Sequence, residues 1–411
     1  MKKKRTLKDV LKDKLPEEII SQINRSFELV GDIAILEIEE ELREYENDIA
    51  KALLELNSHI KTVLRKDGRH QGEFRVQNML WLAGEKKEET VYLEHGIRLK
   101  VNPATVYFSA RLSTERGQLM DKLKAGKRAL IMFSGCGPYT FVALKKQPNL
   151  ERIDSIEINP EGHRLALENV NLNKNLLKHS NFFKEMTEFF KKEEIPYREN
   201  TLLSNLNRAK IHFFCGDVRE VCKKNLKISE QKAYIEVTDN WIFNLEAKKC
   251  FEKLSTYPEP NLTLDARQGF SKETLFFLIH FFDTFSFDLL IDEEKIVHLE
   301  NDYEKGHLFS IAKKQSPKEA REYDEIFMPL PKDAHNFLDC AFSLAAPNCQ
   351  VHMYDFVHDE EFPQKTKQRI SEAAAKSGTE VEIKEIRKVG QYSPHKFRVC
   401  ADFVVKKKTL D

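Results

Sequence analysis

Glycine and proline are scarce in this chain, at 15 and 14 of 411 residues. This scarcity excludes collagen-like and low-complexity sequences. The seven cysteines are scattered: none form a CxxC pair, and no cysteine–histidine spacing is typical of a zinc site. We interpret them as core residues of a protein in a reducing compartment, and predict no metal site.

Long apolar runs are also missing. The longest, from Phe276 to Ile291, is interrupted by Asp283 and Asp288 and is shorter than the ~20 residues of a membrane span. The basic start, MKKKR, is followed by no apolar segment typical of a secretory signal. These absences predict a globular, cytoplasmic protein that does not bind a membrane.

Net charge of one sign is absent, because 66 basic residues balance 66 acidic ones. The distribution is uneven: residues 254–304 carry 11 acidic and 3 basic side chains, whereas residues 1–130 carry a slight basic excess, 25 against 22. Phosphate contact needs Lys and Arg, so the acidic block cannot supply a nucleic-acid surface. The length predicts two or three domains.

Residues 1 to about 100 read as a small α+β domain. Apolar residues recur at helical spacing near the start, and a strand pair then turns at Gly31 and Asp32. A helix at Tyr45–Asn57 and a strand in IKTVLRK follow.

Residues 101–411 read as a doubly wound α/β domain. A helix through Glu115 and Leu123 leads into the buried strand RALIMF, a glycine turn, a helix and the strand in ERIDSIEINP. This alternation predicts a parallel sheet, continued by strands in IHFFCGDVREV, EIFMPLP, QVHMYDFV and FRVCADFVVK.

Two stretches interrupt the alternation, at residues 175–210 and about 223–321. The second contains FFLIHFFDTFSFDLL, dense in phenylalanine and flanked by acidic residues. One interpretation is a buried helix of an inserted subdomain. The other is a docking face for a partner protein.

The strongest local motif is Phe133-Ser134-Gly135-Cys136-Gly137-Pro138, directly after a buried strand. Glycines at such a place let a ligand approach the backbone and leave N–H groups at a helix start. Glu157 ends the next predicted strand, at a spacing typical of an acid that binds ribose hydroxyls. Asp217 ends the following strand, within reach of an adenine amino group.

These strand-end elements favour S-adenosylmethionine over a dinucleotide, because the motif lacks the third glycine of GxGxxG. The alternative interpretation is a set of ordinary turns at strand ends.

Two further motifs carry chemistry-bearing side chains. Arg75 lies beside a predicted strand, and Arg111 and Glu115 share one face of a short helix, where an i,i+4 salt bridge is the simpler explanation. The turn Pro329-Leu330-Pro331 follows a strand. It offers either a rigid floor for a flat base or a plain strand terminator.

With these residues assembled, the chain resembles the archaeal and eukaryotic tRNA (guanine-37-N1)-methyltransferase family, a Rossmann-like class I fold. The matching pieces occur in the family's order outside the two interruptions: SFELVGDIAILEI, KTVLRK, GEFRV, LAGE, VYFSARL--ER, F-GCGP, INP, ENVNLNK, GDVREV, LPKDAHNFLD and KVGQYSPHKFRVCADFVV.

The resemblance implies roles for single residues. Glu115 matches the glutamate proposed as general base, and Arg75 matches the arginine that donates to guanine O6. The side chains expected at the cofactor are Tyr107, Arg111, Phe133, Gly135, Gly137, Glu157, Asn159 and Asp217, and those at the target base, with Arg75, are Pro329, Leu330 and Pro331. The resemblance further implies tRNA as partner, RNA contact by the small domain, and a monomer.

Three departures from the family pattern keep alternatives open. Pro329 stands where the family has an asparagine that contacts the target guanine, Ile131 replaces an acid that opens the glycine motif, and the matched pieces begin with the family's second domain. One alternative is a related transferase that acts on another tRNA position or transfers an aminocarboxypropyl group. The other is a non-catalytic paralogue that binds RNA or protein.

Overall fold

The computed structural model describes residues 5–24, 26–72, 74–192, 199–223, 233–237, 265–266, 307–311, 322–330 and 332–408. These residues fall into two compact units. The first lies within Met1–Leu176, His212–Val221 and Tyr323–Asp411, and the second within Leu177–Ile211 and Cys222–Glu322. The aromatic run that begins near Phe276 lies outside the described residues, so neither interpretation of it is tested.

The N-terminal part of the first unit is a four-stranded sheet covered by helices. Its sheet has the order β1-β2-β3-β4. The predicted strand pair at Gly31 and Asp32 is confirmed as an antiparallel pair, and β2 and β3 are parallel and joined by a helix. The elements are α1 (Leu7–Leu11), α2 (Glu17–Gln22), β1 (Glu28–Val30), β2 (Ile33–Leu36), α3 (Glu46–Leu56), β3 (Thr62–Gln71) and β4 (Val76–Gly84).

Helix α1 begins at a capping box, in which Thr6 and Asp9 bond each other's backbone N–H groups. Helix α3 buries Ile49, Ala50 and Leu53 on one face, against the apolar residues of β2 and β3. This core gives the sheet a fixed position from which the β3–β4 turn extends.

The rest of the first unit is built on a seven-stranded sheet of order β15-β16-β14-β13-β7-β8-β9. Before it lie the hairpin of β5 (Thr90–Glu94) and β6 (Ile97–Val101) and the helix α4 (Ser113–Met120). The remaining elements are β7 (Arg128–Met132), α5 (Pro138–Lys146), β8 (Arg152–Glu157), α6 (Pro160–Leu172), β9 (Ile211–Cys215), α9 (Val218–Lys223), β13 (Tyr323–Met328), α10 (Leu338–Leu344), β14 (Ala345–His358), α11 (Gln364–Lys376), β15 (Thr379–Ser393) and β16 (Lys396–Lys408).

The Rossmann-like α/β prediction is confirmed, with three corrections. Strands β14, β13, β7 and β8 are parallel as predicted, but β16 runs antiparallel to both β14 and β15. Strand β15 was not predicted, and the segment IHFFCGDVREV is a strand only to Cys215, with the helix α9 after it. The order reverses between β7 and β13, the place where such sheets bind ligands at the carboxyl ends of their strands.

The second unit contains two helices, α7 (Asn181–Lys192) and α8 (Glu199–Lys210), and three short strands, β10 (Ala233–Val237), β11 (Asp265–Ala266) and β12 (His307–Ile311). The strands form an antiparallel sheet in the order β10-β12-β11. Across the described parts of both units, no helix is long and apolar enough to span a membrane.

Candidate active site

The glycine motif forms a tight loop between β7 and α5. Phe133, Gly135 and Gly137 all have left-handed backbone angles, with φ of 60°, 56° and 87°. A side chain at Gly137 would come within 2.8 Å of the Phe141 ring, so only glycine fits there. The Ser134 hydroxyl is buried and has no hydrogen-bond partner in the described part of the chain. A buried, unsatisfied hydroxyl beside this loop fits a polar ligand.

The Glu157 carboxylate lies against this loop at the end of β8. Its two oxygens accept hydrogen bonds from the backbone N–H of Gly135, at 2.6 Å, and of Asn159, at 2.8 Å. Burial raises the pKa of Glu157 in spite of these hydrogen bonds. Asn159 in turn caps α6 by accepting from the Glu161 N–H. Each carboxylate oxygen keeps a second lone pair, with which it can accept from a hydroxyl group.

The predicted third element, at the end of β9, adjoins the same carboxylate. Gly216 donates its N–H to the Glu157 carbonyl oxygen at 2.9 Å. Next to it, Asp217 accepts from the backbone N–H and the guanidinium of Arg219, which holds the pKa of Asp217 below its usual range. The strand-end elements predicted to hold a cofactor therefore meet, with Glu157 between the other two.

The segment that precedes α4 passes directly over the glycine loop. Asn159 donates its side-chain amide to the Thr105 carbonyl oxygen at 2.7 Å. The Tyr107 carbonyl oxygen lies 3.5 Å from the point where a Gly135 side chain would begin. The backbone at Tyr107 thus forms one wall of the glycine loop.

A buried ion pair that the sequence did not reveal anchors this segment. Arg116 forms a two-pronged pair with Glu94, at 2.8 and 2.6 Å, and both side chains are almost fully buried. The guanidinium also reaches the Ser109 carbonyl oxygen and lies 5.4 Å from the centre of the Phe108 ring. Arg116 therefore has a structural role: it fixes this segment to the β5–β6 hairpin. Its neighbour in the helix, Glu115, has different partners.

The second wall of the site carries cations. The Tyr107 hydroxyl accepts a hydrogen bond from Arg398 on β16, at 3.1 Å. Arg75, in the β3–β4 turn with a left-handed φ of 52°, donates to the Lys332 carbonyl oxygen at 2.7 Å and lies 3.5 Å from Asp333. Burial lowers the pKa of Arg75, against the opposing effect of Asp333 and Tyr107. Arg75 and Tyr107 therefore act on each other across one site.

The turn after β13 lies at the neighbouring strand end, as the sheet order requires. Pro329 and Leu330 are both half-buried there, and Arg75 reaches the same turn through Lys332. Pro331 lies outside the described residues. Arg111 is exposed in a 3-10 turn before α4, where its charge contributes, after Lys66, to a lowered pKa of Glu37.

Glu115 is held by the sheet rather than by its own helix. Its Oε1 accepts from the Tyr354 hydroxyl at 3.0 Å and from the Arg387 guanidinium at 2.6 Å. Within the described residues, no hydrogen bond reaches Oε2 of this largely buried side chain. The simpler explanation by an i,i+4 pair with Arg111 is therefore wrong, because the observed partner is 272 residues away along the chain.

The Arg387 guanidinium continues into a row of buried polar groups. It donates to Asp402 at 2.7 Å, Asp402 bonds His352 at 2.7 Å, and His352 lies 3.2 Å from Glu325. Burial alone would lower the pKa of His352, but its hydrogen bonds to both carboxylates reverse this and raise it. His352 and Asp402 face each other in register on β14 and β16, so this row lies on one face of the sheet.

Sequence reasoning assigned no role to Arg387, Asp402, His352 or Arg398. The segment KVGQYSPHKFRVCADFVV contributed to the family resemblance but gave no reason to single out a side chain. In this segment Lys396, Arg398 and Asp402 lie on one face of the strand, and such charged positions can indicate a polar network. No such network is visible until the strand pairing is known.

Comparisons with known proteins match two segments of the chain. Residues 7–87 match the TYW2 N-terminal domain, and residues 90–198 match the TRM5/TYW2 methyltransferase domain. The tRNA (guanine(37)-N(1))-methyltransferase Trm5b of Pyrococcus abyssi is 38% identical over 160 residues, 39% of this chain and 48% of that protein. This chain spans about half the length of that relative and of its Methanocaldococcus jannaschii counterpart.

A third relative aligns over almost the whole of both chains. The tRNA (guanine(37)-N(1))/4-demethylwyosine(37)-methyltransferase Taw22 of Nanoarchaeum equitans is 26% identical over 376 residues, 91% of this chain and 97% of that protein.

Solved structures show the same fold. Trm5b of Pyrococcus abyssi superposes with a TM-score of 0.60 at 23% identity, covering 99% of this chain and 82% of that chain. TYW2 of P. horikoshii, in complex with MeSAdo, has a TM-score of 0.56 at 18% identity, with 98% of each chain covered. The chain therefore carries segments similar to the TYW2 N-terminal domain and to the TRM5/TYW2 methyltransferase domain, and it has the fold of the solved Trm5b and TYW2 structures.

Proposed function

We propose that this protein transfers the methyl group of S-adenosylmethionine to N1 of guanine 37 in tRNA. The observation that carries this proposal is the position of Tyr107. Its backbone forms a wall of the Gly135 loop, and its hydroxyl bonds Arg398 within the electrostatic reach of Arg75. One residue thus adjoins both a cofactor-type loop and two cationic side chains, Arg75 and Arg398.

The residues present fit the cofactor. Gly135 and Gly137 supply close backbone approach, Ser134 supplies an unsatisfied hydroxyl, and Glu157 and Asp217 supply acceptors for ribose and adenine donors. Ile131 is fully buried in β7, so it offers no polar contact to this ligand. When bound, S-adenosylmethionine supplies an electrophilic methyl group on a sulfonium, whose transfer to nitrogen needs alignment and no covalent intermediate.

Glu115 and Arg75 are the proposed chemical groups. Guanine N1 carries a proton at neutral pH, and the Glu115 carboxylate, fixed through Oε1 by Arg387 and Tyr354, takes that proton on Oε2. As the proton leaves, negative charge develops on O6. The Arg75 guanidinium stabilises that charge by donating a hydrogen bond.

The substrate is proposed to be tRNA with its target base turned out of the stack, because enzymes that modify a base in folded nucleic acid must take that base out of its stack. Arg75 and Arg398 supply cations at the entrance. Among relatives, Trm5b and Taw22 are named for activity on position 37 of tRNA.

The experiment uses tRNA transcripts with guanine or adenine at position 37, incubated with the protein and labelled S-adenosylmethionine. Nucleosides are then identified by mass. We expect 1-methylguanosine from the guanine transcript alone, and a loss of about 100-fold or more in rate for Glu115→Gln with unchanged cofactor affinity. No methylated nucleoside, or a wild-type rate for Glu115→Gln, would contradict the proposal.

A second candidate is transfer to a modified guanosine at position 37, either of a methyl group, for which the Taw22 relative is named, or of an aminocarboxypropyl group. The observation that favours it is Pro329, which offers neither a side-chain amide nor an N–H to read an unmodified guanine. The same assay separates the candidates when tRNA from cells that make wybutosine precursors is added, because the product nucleosides differ in mass.

A further inference from the structure

A partly exposed aromatic and basic cluster lies where β14 and β15 end and β16 begins. We call it the hairpin-end cluster, and it consists of Phe356, Tyr392, Lys396 and Arg398. The Phe356 and Tyr392 rings are 4.4 Å apart. The Lys396 ammonium lies 5.7 Å from the Phe356 ring centre and 5.9 Å from that of Tyr392, and Arg398 lies 5.6 Å from Phe356. The four side chains therefore form one packed surface.

This surface faces outward with an aromatic ring uncovered. Tyr392 is 57% exposed, which is high for a large aromatic side chain that already contacts another ring. Gly390 pairs with Arg398 across β15 and β16, so a side chain at residue 390 would share the face of the cluster. Among the described residues, no atom lies within 4 Å of where that side chain would begin. The cluster thus borders a space that none of the described residues fills.

The cations of the cluster are not neutralised. Within the described residues, neither Lys396 nor Arg398 forms an ion pair, and the buried Nε of Arg398 has no hydrogen-bond partner. The terminal nitrogen of Arg398 instead donates to Tyr107, in the proposed active site. A surface with two unpaired cations and one uncovered ring matches a ligand that is both anionic and flat.

We propose that the hairpin-end cluster binds an unpaired RNA base that flanks the target nucleotide, by stacking it on Tyr392 while Lys396 and Arg398 contact its phosphate. This rests on the proposed function, since that function requires a target base to leave the anticodon loop. Turning one base out unstacks its neighbours, and proteins that bind single-stranded RNA stack such bases on aromatic side chains beside cations.

The position favours a flanking base over the target base itself. The target must reach the Gly135 loop, on the inner side of Tyr107, whereas Tyr392 and Lys396 lie on the outer side, beyond Arg398. Arg398 contacts Tyr107 and the cluster at once. It therefore links the two neighbouring nucleotides.

The test measures equilibrium binding of an anticodon stem-loop RNA that carries 2-aminopurine beside guanine 37, in the absence of any methyl donor. A stacked base contributes an affinity factor of roughly 5 to 100. We expect Tyr392→Ala to weaken binding by such a factor and to remove the stacking-dependent quenching of 2-aminopurine. Tyr392→Phe, which keeps the ring, should behave as the wild type.

Two further variants sharpen the test. Gly390→Leu adds bulk into the open space, where the geometry predicts no clash, and should weaken stem-loop binding without lowering thermal stability. Leu167→Ala removes another exposed apolar side chain, on α6 and outside the small domain, and should leave binding unchanged. A fully paired RNA of equal length should bind the wild type and Tyr392→Ala equally.

The two proposals fail in distinguishable ways. If the wild type binds the stem-loop and Tyr392→Ala weakens that binding, the stacking site stands even when no 1-methylguanosine forms. If the wild type forms 1-methylguanosine while Tyr392→Ala binds and quenches as the wild type does, the stacking site is wrong. A wild type that does not bind the stem-loop also overturns it.

Discussion

Replacing Arg387 by Met tests whether the sheet holds the proposed general base. The guanidinium donates to Glu115 at 2.6 Å and to Asp402 at 2.7 Å, and its side chain is 23% exposed. Methionine has a similar length but no charge and no donor. Asp402 keeps His352 and Lys122 as partners, whereas Glu115 keeps only the Tyr354 hydroxyl among its observed partners. Removing the guanidinium therefore affects the position of Glu115 more than that of Asp402.

The magnitude follows from the bonds removed. A hydrogen bond to a charged group contributes about 1.5–3 kcal/mol, and breaking a fully buried pair costs about 3–5 kcal/mol. Because Arg387 is partly exposed and Asp402 stays paired, we expect a stability loss of about 2 kcal/mol. A displacement of the Glu115 carboxylate, the proposed general base, by about 1 Å costs on the order of 100-fold in rate, which corresponds to about 2.7 kcal/mol.

The assay combines steady-state methylation of tRNA, which yields kcat and KM, with urea unfolding. We expect Arg387→Met to lose about 100-fold in kcat with little change in KM. Arg387→Lys should recover part of this, since a point charge cannot bridge two carboxylates.

The matched control is Arg369→Met. Arg369 pairs with the buried Asp355 and is 24% exposed, and Asp355 faces the other side of β14 from Tyr354. This variant should lose similar stability and keep its kcat. The reasoning is refuted if Arg387→Met retains a kcat close to that of the wild type, or if both variants lose activity equally.

Three further outcomes are expected. Glu157→Gln should weaken S-adenosylmethionine binding about tenfold in calorimetry, since one charged acceptor is lost, and wild-type affinity should fall as the pH decreases towards the raised pKa of Glu157. Because the pKa of His352 is raised in the folded state, its protonation stabilises the fold fully below pH 6.5, and this stabilisation is lost as the pH rises through the folded-state pKa. The urea midpoint should therefore decline above pH 6.5 in the wild type but not in His352→Gln. Gly137→Ala should cost more than 2 kcal/mol, because a left-handed φ costs about 1–2 kcal/mol and the new methyl group meets Phe141 at 2.8 Å, whereas Gly126→Ala, with a similar φ and open space, should cost only about 1 kcal/mol in the same unfolding measurement.

The central strands and the glycine loop were predictable because their signals are local. RALIMF is a buried apolar run, and the spacing from Gly137 to Glu157 spans one strand–helix–strand unit. Strand β15 was missed because its sequence, TEVEIKEIRKVGQYS, is charged along both faces, as suits an edge strand. Its pairing with β16 supplies the regular structure that its composition does not indicate.

The environment of Glu115 was not predictable for a related reason. Arg111 lies four residues before Glu115, and helical spacing alone predicts a salt bridge between the two side chains. The structure instead brings Arg387 to Glu115, because β15 and β16 return to the sheet beside β14 and carry their charges onto one face. Contacts across such separations depend on strand order, which a single sequence specifies only through the whole fold.

Pro329 is the departure whose consequence is most direct to measure. It lies in the turn after β13, three residues before Lys332, whose carbonyl oxygen accepts a hydrogen bond from Arg75, the proposed O6 donor. The family resemblance implies an asparagine here. An amide that pairs with a base edge is worth about 1–3 kcal/mol of discrimination.

Pro329→Asn therefore distinguishes the two candidate substrates. If unmodified guanine is the natural target, the added amide should raise kcat/KM on the guanine-37 transcript by about tenfold, corresponding to about 1.4 kcal/mol, and leave the adenine transcript unmethylated. Pro329→Ala, which frees the backbone without adding an amide, is the control and should show no gain. If the natural target is instead the modified guanosine of the second candidate, its base edge differs from that of guanine and does not match the added amide. Pro329→Asn should then lower activity on precursor-containing tRNA and match Pro329→Ala on the guanine transcript, which would favour the second candidate over the first.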